Sequence, residues 1–139
     1  MVGIVIVSHS CKIAEGVCDL ALQMASDYKK MIPAGGLEDG SLGTDPMRIL
    51  DAVRSANDGD GVAIFVDLGS GIMSAETAID LLDGEFPARI ADAPLVEGAV
   101  VAVIEAATGA SLEEVIQAAE NARGKKSCKN YTDQRRKRS

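Results

Sequence analysis

Hydrophobic positions in the chain follow two patterns: short apolar runs and longer stretches with helical spacing. Runs typical of buried parallel strands occupy 3–7 and 62–66, and weaker runs occupy 30–34 and 87–91. Apolar residues recur every three or four positions in five other stretches, which predicts helices at 13–24, 46–56, 74–82, 94–107 and 111–122. The alternating order of strands and helices predicts an α/β fold with a mainly parallel central sheet.

Capping residues support several of these helix starts. Asp45 or Thr44 is a good N-cap ahead of Pro46, Ser74 is the expected cap of the third helix, and Ser111 with Glu114 forms a capping box. The stretch 94–107 contains five residues of strand composition at 100–104, but Pro94 and Glu97 favour a helix start. Because this helix is apolar on nearly every side, we expect it to be buried on more than one side and to make a subunit contact.

Two helices have an apolar stripe that defines their expected inner face. In the first helix the residues at helical spacing are Ile13, Val17, Leu20, Ala21 and Met24. In the second helix the residues expected to point inward are Met47, Ile49, Leu50 and Val53. Helices of this kind cover the faces of a doubly wound sheet.

The predicted topology brings two polar segments together. Right-handed connections give a parallel sheet, and in the common strand orders strand one lies beside strand three. The segments 8–10 and 67–71, which follow these strands, then meet where the strand order reverses, and each leads into a helix N-terminus. This rim is the expected ligand site, and it holds His9 and Asp67.

His9 is the only histidine of the chain, and the expected chemistry depends on it. A carboxylate that accepts a hydrogen bond from one ring nitrogen fixes the tautomer and leaves the other nitrogen free to attack an electrophile. We therefore expect Asp67 to orient His9 as a nucleophile. Phosphorus is the electrophile that suits the site best, because glycine-rich turns and helix N-termini offer N–H groups to phosphoryl oxygens.

Five further residues are expected around the phosphoryl group. They are Ser10, Gly36, Thr44, Gly69 and Ser70. The hydroxyl groups of Thr44 and Ser70 are possible donors to phosphoryl oxygens, although capping or turn formation explains both residues equally well.

Other chemistries fit the sequence less well. The segment 69–71 lacks the GxSxG spacing of a serine hydrolase, and the first turn contains neither a P-loop nor a GxGxxG motif. Asp67 could be the acceptor of a receiver domain, but Ser8 and His9 stand where that family has acidic residues. The segment 57–61 lacks the ligand spacing of a calcium loop and is expected to be a turn.

Length and charge define one acidic domain with a basic extension. A chain of 139 residues, 47% of them hydrophobic, is expected to form a single domain. Residues 1–123 carry 20 acidic and 7 basic residues, whereas residues 124–139 carry one acidic and 7 basic. The acidic body argues against nucleic-acid binding. We expect residues 124–139 to be a disordered tail outside the fold.

The cysteines and the hydropathy pattern indicate a cytoplasmic protein. Cys11, Cys18 and Cys128 form no CxxC pair, and one histidine cannot complete a zinc set, so we expect reduced thiols, no metal and no cofactor. Cys11 and Cys18 are seven residues apart and are expected to pack from one helix face into the core. The sequence has neither a signal-peptide pattern nor an apolar run of membrane-spanning length.

The sequence resembles the phosphoryl-donor subunits of phosphotransferase-system-dependent dihydroxyacetone kinases, whose fold is that of mannose-type IIA domains. The resemblance spans nearly all of 1–122 and is carried by VIVSHS at 5–10, AGG at 34–36, GTD at 43–45, DLGSG at 67–71, SAETA at 74–78 and APLVEG at 93–98. Each motif alone is only weakly specific for this family, but the six motifs together are specific for it. The resemblance covers the domain expected at 1–123.

The resemblance implies a phosphotransferase activity. His9 would accept a phosphoryl group from the phosphohistidine of the carrier protein HPr and pass it to ADP on a separate, magnesium-containing kinase subunit. The regenerated ATP would phosphorylate dihydroxyacetone, so phosphoenolpyruvate would be the ultimate donor. The family also implies a homodimer. Some members carry fused HPr-like and enzyme-I-like domains, which residues 1–139 do not contain. HPr is therefore expected from another protein or from a longer chain.

Two alternatives remain open. The related IIA components of mannose-type sugar transporters commonly have a glycine on each side of the histidine, whereas Ser8 and Ser10 flank His9. These serines, together with the segment 67–70, favour the kinase subunit. A non-catalytic acidic adaptor is the alternative from a different class.

Overall fold

A computed structural model describes residues 1–123 as a four-stranded sheet with five helices. The strands are β1 (Gly3–Ser8), β2 (Met31–Gly35), β3 (Val62–Val66) and β4 (Ala88–Ile90). The helices are α1 (Cys11–Leu22), α2 (Pro46–Ala56), α3 (Gly69–Leu82), α4 (Leu95–Ala107) and α5 (Leu112–Glu120). The expected tail at 124–139, including Cys128, lies outside the described residues.

The sheet is parallel throughout, with the strand order β2-β1-β3-β4. Strand β1 therefore lies beside β3, as predicted. Val7 in β1 is in register with Ala34 on one side and with Val66 on the other. The carboxyl ends of β1, β2 and β3 consequently reach the same edge, and the strand order reverses between β1 and β3.

Helices cover both faces of this sheet, which confirms the predicted doubly wound α/β fold. Side chains alternate along a strand, so Ile4 and Ile6 of β1 pack with α1, α4 and α5 on one face. Val5 and Val7 pack with α2 and α3 on the other face. Both faces bury small aliphatic side chains, as expected for a core with few aromatic residues.

Two helix starts have the capping hydrogen bonds expected from the sequence, and a third helix lies where it was predicted. The Asp45 side chain accepts a hydrogen bond from the backbone N–H of Met47 at 2.9 Å, ahead of Pro46. Ser111 and Glu114 form both hydrogen bonds of a capping box at the start of α5. The stretch 94–107 is helical, as predicted, with Pro94 as the N-cap of α4.

The predicted start of α3 was wrong. The helix begins at Gly69 rather than at 74, and its N-cap is Leu68, whose side chain makes no capping hydrogen bond. Ser74 is not a cap but lies within the second turn. Two glycines in the first turn give it a low intrinsic helix propensity and no apolar periodicity, so neither local signal marks this start.

The inner faces predicted for α1 and α2 are confirmed in part, since the buried residues include Val17 and Ala21 of α1 and Ile49, Leu50 and Val53 of α2. Met47 was expected to point inward but is 54% exposed, and Ile13, Leu20 and Met24 are also about half exposed. The residues that α1 buries are Ala14, Val17, Cys18 and Ala21. In α1, alanine and cysteine let the helix backbone approach the sheet closely, so the buried stripe of this helix is offset from its bulkiest residues.

Helix α4 packs against α1, α5 and the strands β1 and β3, so it is covered on more than one side. Val96 and Ile104 are nevertheless partly exposed. The subunit contact expected for α4 stays a prediction. Over residues 1–123, none of the helices combines the length and the apolarity needed to cross a bilayer.

Candidate functional site

His9 and Asp67 lie side by side at the carboxyl edge of the sheet. His9 follows the last residue of β1, and Asp67 follows the last residue of β3. The backbone N–H of Asp67 continues the ladder by donating to the carbonyl of Val7 at 3.2 Å. The parallel register therefore determines how far the two side chains are from each other.

The carboxylate of Asp67 accepts four hydrogen bonds. Its Oδ1 accepts from Nδ1 of His9 at 2.9 Å and from the backbone N–H of Leu68 at 2.8 Å. Its Oδ2 accepts from the Ser8 hydroxyl at 2.8 Å and from the backbone N–H of His9 at 3.1 Å. Both oxygens are thus fixed, and the carboxylate has one orientation relative to the imidazole.

These hydrogen bonds keep Asp67 ionised. Partial burial by itself raises the pKa of this carboxyl group, but the hydrogen bonds from His9, Ser8 and Leu68 outweigh it and hold the pKa below its usual range. An ionised carboxylate can only accept hydrogen bonds, so Nδ1 of His9 carries the proton. In the neutral ring, the lone pair then resides on Nε2.

Nε2 of His9 faces the first turn of α3. The Ser70 hydroxyl lies 2.7 Å from Nε2, and 26% of the His9 side chain is exposed, against 15% for Asp67. The free ring nitrogen is therefore on the accessible side of the pair. The N–H of Gly71 is already donated to the Leu68 carbonyl at 2.9 Å. The start of α3 nevertheless supplies the partial positive charge of a helix N-terminus at the same place.

Gly71 gives the imidazole its space. A Cβ atom at this position would lie 2.6 Å from Cγ1 of Val66 and 3.4 Å from Cε1 of His9. The close approach of α3 to the end of β3 therefore requires a residue without a side chain. The sequence motif at 67–71 includes this glycine, but it does not show that contacts with Val66 and His9 exclude a side chain there.

The other expected site residues lie on the same rim in different settings. Ser10 is the N-cap of α1 and accepts from the backbone N–H of Ile13 at 3.3 Å. The N–H of Gly36 is already donated to the Ser8 carbonyl at 3.1 Å, and the residue has a φ of 69°. Thr44 lies on the loop before α2, and its hydroxyl pairs with that of Ser74 at 2.7 Å.

Two polar residues of the site were missed from the sequence. The Ser8 hydroxyl, which is fully buried, links the backbone N–H of Ser10 to the carboxylate of Asp67. Ser74 was interpreted as a helix cap and instead contacts Thr44. The only available signal for Ser8 was its position at the end of a buried strand, where a hydroxyl needs a partner.

The two cysteines within residues 1–123, Cys11 and Cys18, lie outside this hydrogen-bond network. Burial raises the pKa of the Cys18 thiol to about 12, so this side chain is an inert part of the core. The prediction that Cys11 also packs into the core was wrong, because Cys11 is partly exposed at the start of α1 and donates to Oε1 of Glu15 at 3.3 Å. Across residues 1–123, no three His, Cys, Asp or Glu side chains are grouped as metal ligands.

A cleft of about 420 Å³ opens on the β4 side of the site, next to Asp67, Leu68 and Gly69. It reaches Ile90, the last residue of β4, and Asp92, which lies beyond this strand. Two cavities of about 510 and 440 Å³ lie elsewhere, one near Tyr28 and one between α4 and α5. His9 lines none of these three cavities, so we place the candidate site on the rim next to the first cleft, where His9, Asp67 and Ser70 converge.

Comparison with known proteins points to one family. Residues 3–116 match the model of the EIIA-man family, described as the fructose IIA component of the phosphotransferase system. The chain is 46% identical over 127 residues to the phosphoryl donor subunit DhaM of a PEP-dependent dihydroxyacetone kinase from Klebsiella michiganensis. This alignment covers 88% of the chain but only 27% of that relative.

A shorter relative is matched almost over its whole length. The phosphoryl donor subunit DhaM of PEP-dependent dihydroxyacetone kinase 2 from Listeria innocua is 43% identical over 119 residues. The alignment covers 84% of the chain and 95% of this relative. The chain thus spans about a quarter of one relative's length and nearly all of the other's.

Solved structures show the same fold. The crystal structure of a protein of unknown function superimposes with a TM-score of 0.72 at 36% identity, covering 86% of the chain and 93% of that protein. A phosphotransferase system component EIIA from Streptococcus agalactiae superimposes with a TM-score of 0.66 at 14% identity, covering 88% and 92%. The parallel sheet, the matched residues 3–116 and these relatives agree, and the chain belongs to the EIIA-man family.

Proposed function

We propose that this chain is a phosphohistidine relay, with His9 as the residue that carries the phosphoryl group. The donor is the phosphohistidine of HPr, and the acceptor is ADP on the nucleotide-binding subunit of a PEP-dependent dihydroxyacetone kinase. Two relatives that are more than 40% identical are named phosphoryl donor subunits of such kinases. The observation that carries the proposal is the hydrogen bond from Nδ1 of His9 to Asp67, which directs the lone pair of Nε2 to the rim.

Phosphoryl transfer to Nε2 needs no proton transfer at the reacting nitrogen. The lone pair of Nε2 attacks phosphorus, the new N–P bond forms, and the N–P bond of the donor breaks with its electron pair returning to the donor imidazole. In the second transfer a β-phosphate oxygen of ADP attacks phosphorus, and Nε2 recovers its electron pair. Asp67 stabilises the positive charge that develops on the ring in both directions.

The groups around Nε2 are suited to a phosphoryl group. In the unphosphorylated site, the Ser70 hydroxyl lies 2.7 Å from Nε2 and donates its hydrogen to the lone pair of this nitrogen. The hydroxyl must therefore turn away from Nε2 when a phosphoryl group approaches. Its hydrogen is then available to a phosphoryl oxygen, next to the N-terminal N–H groups of α3 at Gly69. Ser10, Gly36 and Thr44 complete the proposed rim on the side of β1 and β2.

A phosphorylation assay tests this proposal directly. The chain is incubated with radiolabelled phosphoenolpyruvate, enzyme I and HPr, alongside the variant His9→Gln. We expect acid-labile, alkali-stable label on the wild-type chain and none on the variant. Because the chain has one histidine, phosphohistidine can form only at His9. Circular dichroism of His9→Gln confirms that the fold is retained.

The acceptor is tested in a second step. Labelled chain is mixed with the ADP-loaded kinase subunit and the dihydroxyacetone-binding subunit, and dihydroxyacetone phosphate is measured. A chain that takes up label but yields no product would be a IIA component of a sugar transporter, which the family description as a fructose IIA component also fits. Absence of label on the wild-type chain would overturn the relay and leave the adaptor. Equal label on His9→Gln would overturn the relay through His9, because the label would then be on another residue.

A further inference from the structure

Thr44 and Ser74 form a hydroxyl pair beside the site. Their Oγ1 and Oγ atoms are 2.7 Å apart, both side chains are half-buried, and the two residues are 30 positions apart in the sequence. Thr44 lies on the loop before α2, whereas Ser74 lies in the second turn of α3. The pair therefore connects two segments that approach His9 from different parts of the chain.

Two contacts place Thr44 close to the imidazole. The backbone N–H of Gly43 donates to the His9 carbonyl at 2.8 Å, which fixes the loop at the adjacent residue. A Cβ atom at Gly71 would lie 3.4 Å from Cε1 of His9 and 3.6 Å from Cγ2 of Thr44. The Thr44 side chain and the ring carbon between the two nitrogens thus contact the same small space.

We propose that Ser74 is a positioning residue that holds the Thr44 hydroxyl as a donor to the phosphoryl group on His9. A hydroxyl group has one hydrogen to donate and two lone pairs that accept. When Ser74 donates to Thr44, the Thr44 hydrogen is free to point at a phosphoryl oxygen. This inference rests on the proposed function, and it adds a role for Ser74 and a reason for the placement of Thr44.

The two serines of α3 then have complementary roles. Ser70 contacts Nε2 directly, at 2.7 Å, whereas Ser74 acts one turn later through Thr44. The phosphoryl group receives one hydroxyl donor from α3 and a second from the opposite loop. In the transfer step the charge is spread over the three equatorial phosphoryl oxygens, and donors fixed in advance stabilise it without reorganisation.

A purely structural pair makes a different prediction. A hydrogen bond that only ties the loop to α3 would lower the free energy of unfolding when removed, and it would leave the rate of phosphoryl uptake unchanged in the folded protein. Removal of a positioning pair would lower the maximal rate of uptake and shorten the lifetime of the phosphohistidine. The two explanations are therefore separated by kinetics measured well below the unfolding transition.

The test uses Ser74→Ala, Thr44→Val and the double variant, with Thr77→Val as the matched control. Thr77 is on the same helix, and its hydroxyl donates to the Met73 carbonyl at 3.0 Å on the exposed side. Initial rates of uptake are measured over a range of phosphorylated HPr concentrations, and the half-life of the phosphohistidine is followed after HPr is removed. Urea unfolding of each variant gives its stability.

We expect Ser74→Ala and Thr44→Val each to lower the maximal rate by about 10-fold, with little change in the HPr concentration at half-maximal rate. The double variant should be no slower than either single variant, because both remove the same donor. Thr77→Val should react at the wild-type rate. Thr44→Ser, which retains a hydroxyl, should keep most of the activity.

A wild-type rate for Ser74→Ala, or effects that multiply in the double variant, would overturn the inference. If Ser74→Ala fails to fold, Ser74→Cys provides the same test, because a thiol fills the space but donates weakly. Failure of the proposed function looks different, since the wild-type chain would then take up no label. A labelled wild-type chain with an equally fast Ser74 variant contradicts only the role of Ser74.

Discussion

His9 and Asp67 are joined twice, once through the imidazole and once through the backbone. Nδ1 of His9 lies 2.9 Å from Oδ1 of Asp67, and the backbone N–H of His9 lies 3.1 Å from Oδ2. Both ends of the carboxylate therefore hold the same residue. This arrangement fixes the tautomer and the orientation of the ring, which is what a nucleophilic histidine requires.

Asp67→Asn tests this arrangement. An amide provides one accepting oxygen in place of two, and its NH₂ group faces donors whichever way it is turned. We expect the fold to be retained, the unfolding free energy to fall by about 1–3 kcal/mol, and phosphoryl uptake to slow by about 10- to 1000-fold. Urea unfolding and the rate of labelling by HPr measure the two effects.

Asp51→Asn is the matched control, because Asp51 is an exposed aspartate on α2. It should label at the wild-type rate. Labelling of Asp67→Asn as fast as that of wild type would remove Asp67 from the mechanism.

The lowered pKa of Asp67 predicts a specific dependence of stability on acid. The stabilisation is complete above the unfolded pKa of an aspartate, about 3.9, and is lost as the pH falls through the lowered value of the folded state. The difference in unfolding free energy between wild type and Asp67→Asn should therefore shrink as the pH falls below about 4. Urea unfolding from about pH 5 downward measures it, and a constant difference would contradict the prediction.

Gly71→Ala should displace the imidazole. The added Cβ would lie 2.6 Å from Cγ1 of Val66 and 3.4 Å from Cε1 of His9. We expect slower phosphoryl uptake and a loss of about 1–3 kcal/mol in unfolding free energy, partly offset by the higher helix propensity of alanine.

Gly16→Ala on α1 is the control for this substitution. Its Cβ would have no atom within 4 Å, so propensity alone should raise stability by up to about 1 kcal/mol and leave uptake unchanged. Equal uptake by the Gly71 and Gly16 variants would show that the ring tolerates a side chain at 71.

Ser111→Ala should separate stability from function. Removing the hydroxyl breaks the hydrogen bond from the Glu114 N–H at 3.2 Å and half of the capping box of α5. The expected cost is about 1 kcal/mol of unfolding free energy. Phosphoryl uptake should be unchanged, because the start of α5 lies beside Gly61, at the end of β3 opposite to the His9 rim. A lower rate of uptake would mean that α5 contributes to the site.

Features determined by local chemistry were predictable from the sequence. Asp45 before Pro46, and Ser111 three residues before Glu114, satisfy helix N–H groups within one turn, so no knowledge of the fold is needed. The strands at 62–66 and near 3–7 were visible because a buried parallel strand is apolar on both faces. The juxtaposition of His9 and Asp67 followed from strand order alone.

Features determined by packing between distant segments were not predictable. The helix α3 begins at Gly69, where intrinsic propensity is poor, because β3 and the sheet edge define its position. Met47 was expected inside because hydrophobicity was taken as burial, but it lies outside the buried stripe that Ile49, Leu50 and Val53 form on the same helix. The Thr44–Ser74 pair joins residues 30 positions apart, and no motif spacing reveals it.

The solitary imidazole makes this chain a convenient spectroscopic subject. With one histidine in 139 residues, a proton NMR spectrum contains a single pair of imidazole carbon-bound resonances, and both come from the ring beside Asp67. The Cε1 proton lies between the two nitrogens, so its chemical shift responds to changes at either one. This one signal reports protonation of the ring, binding of a partner protein and phosphorylation of His9, without isotopes or attached probes.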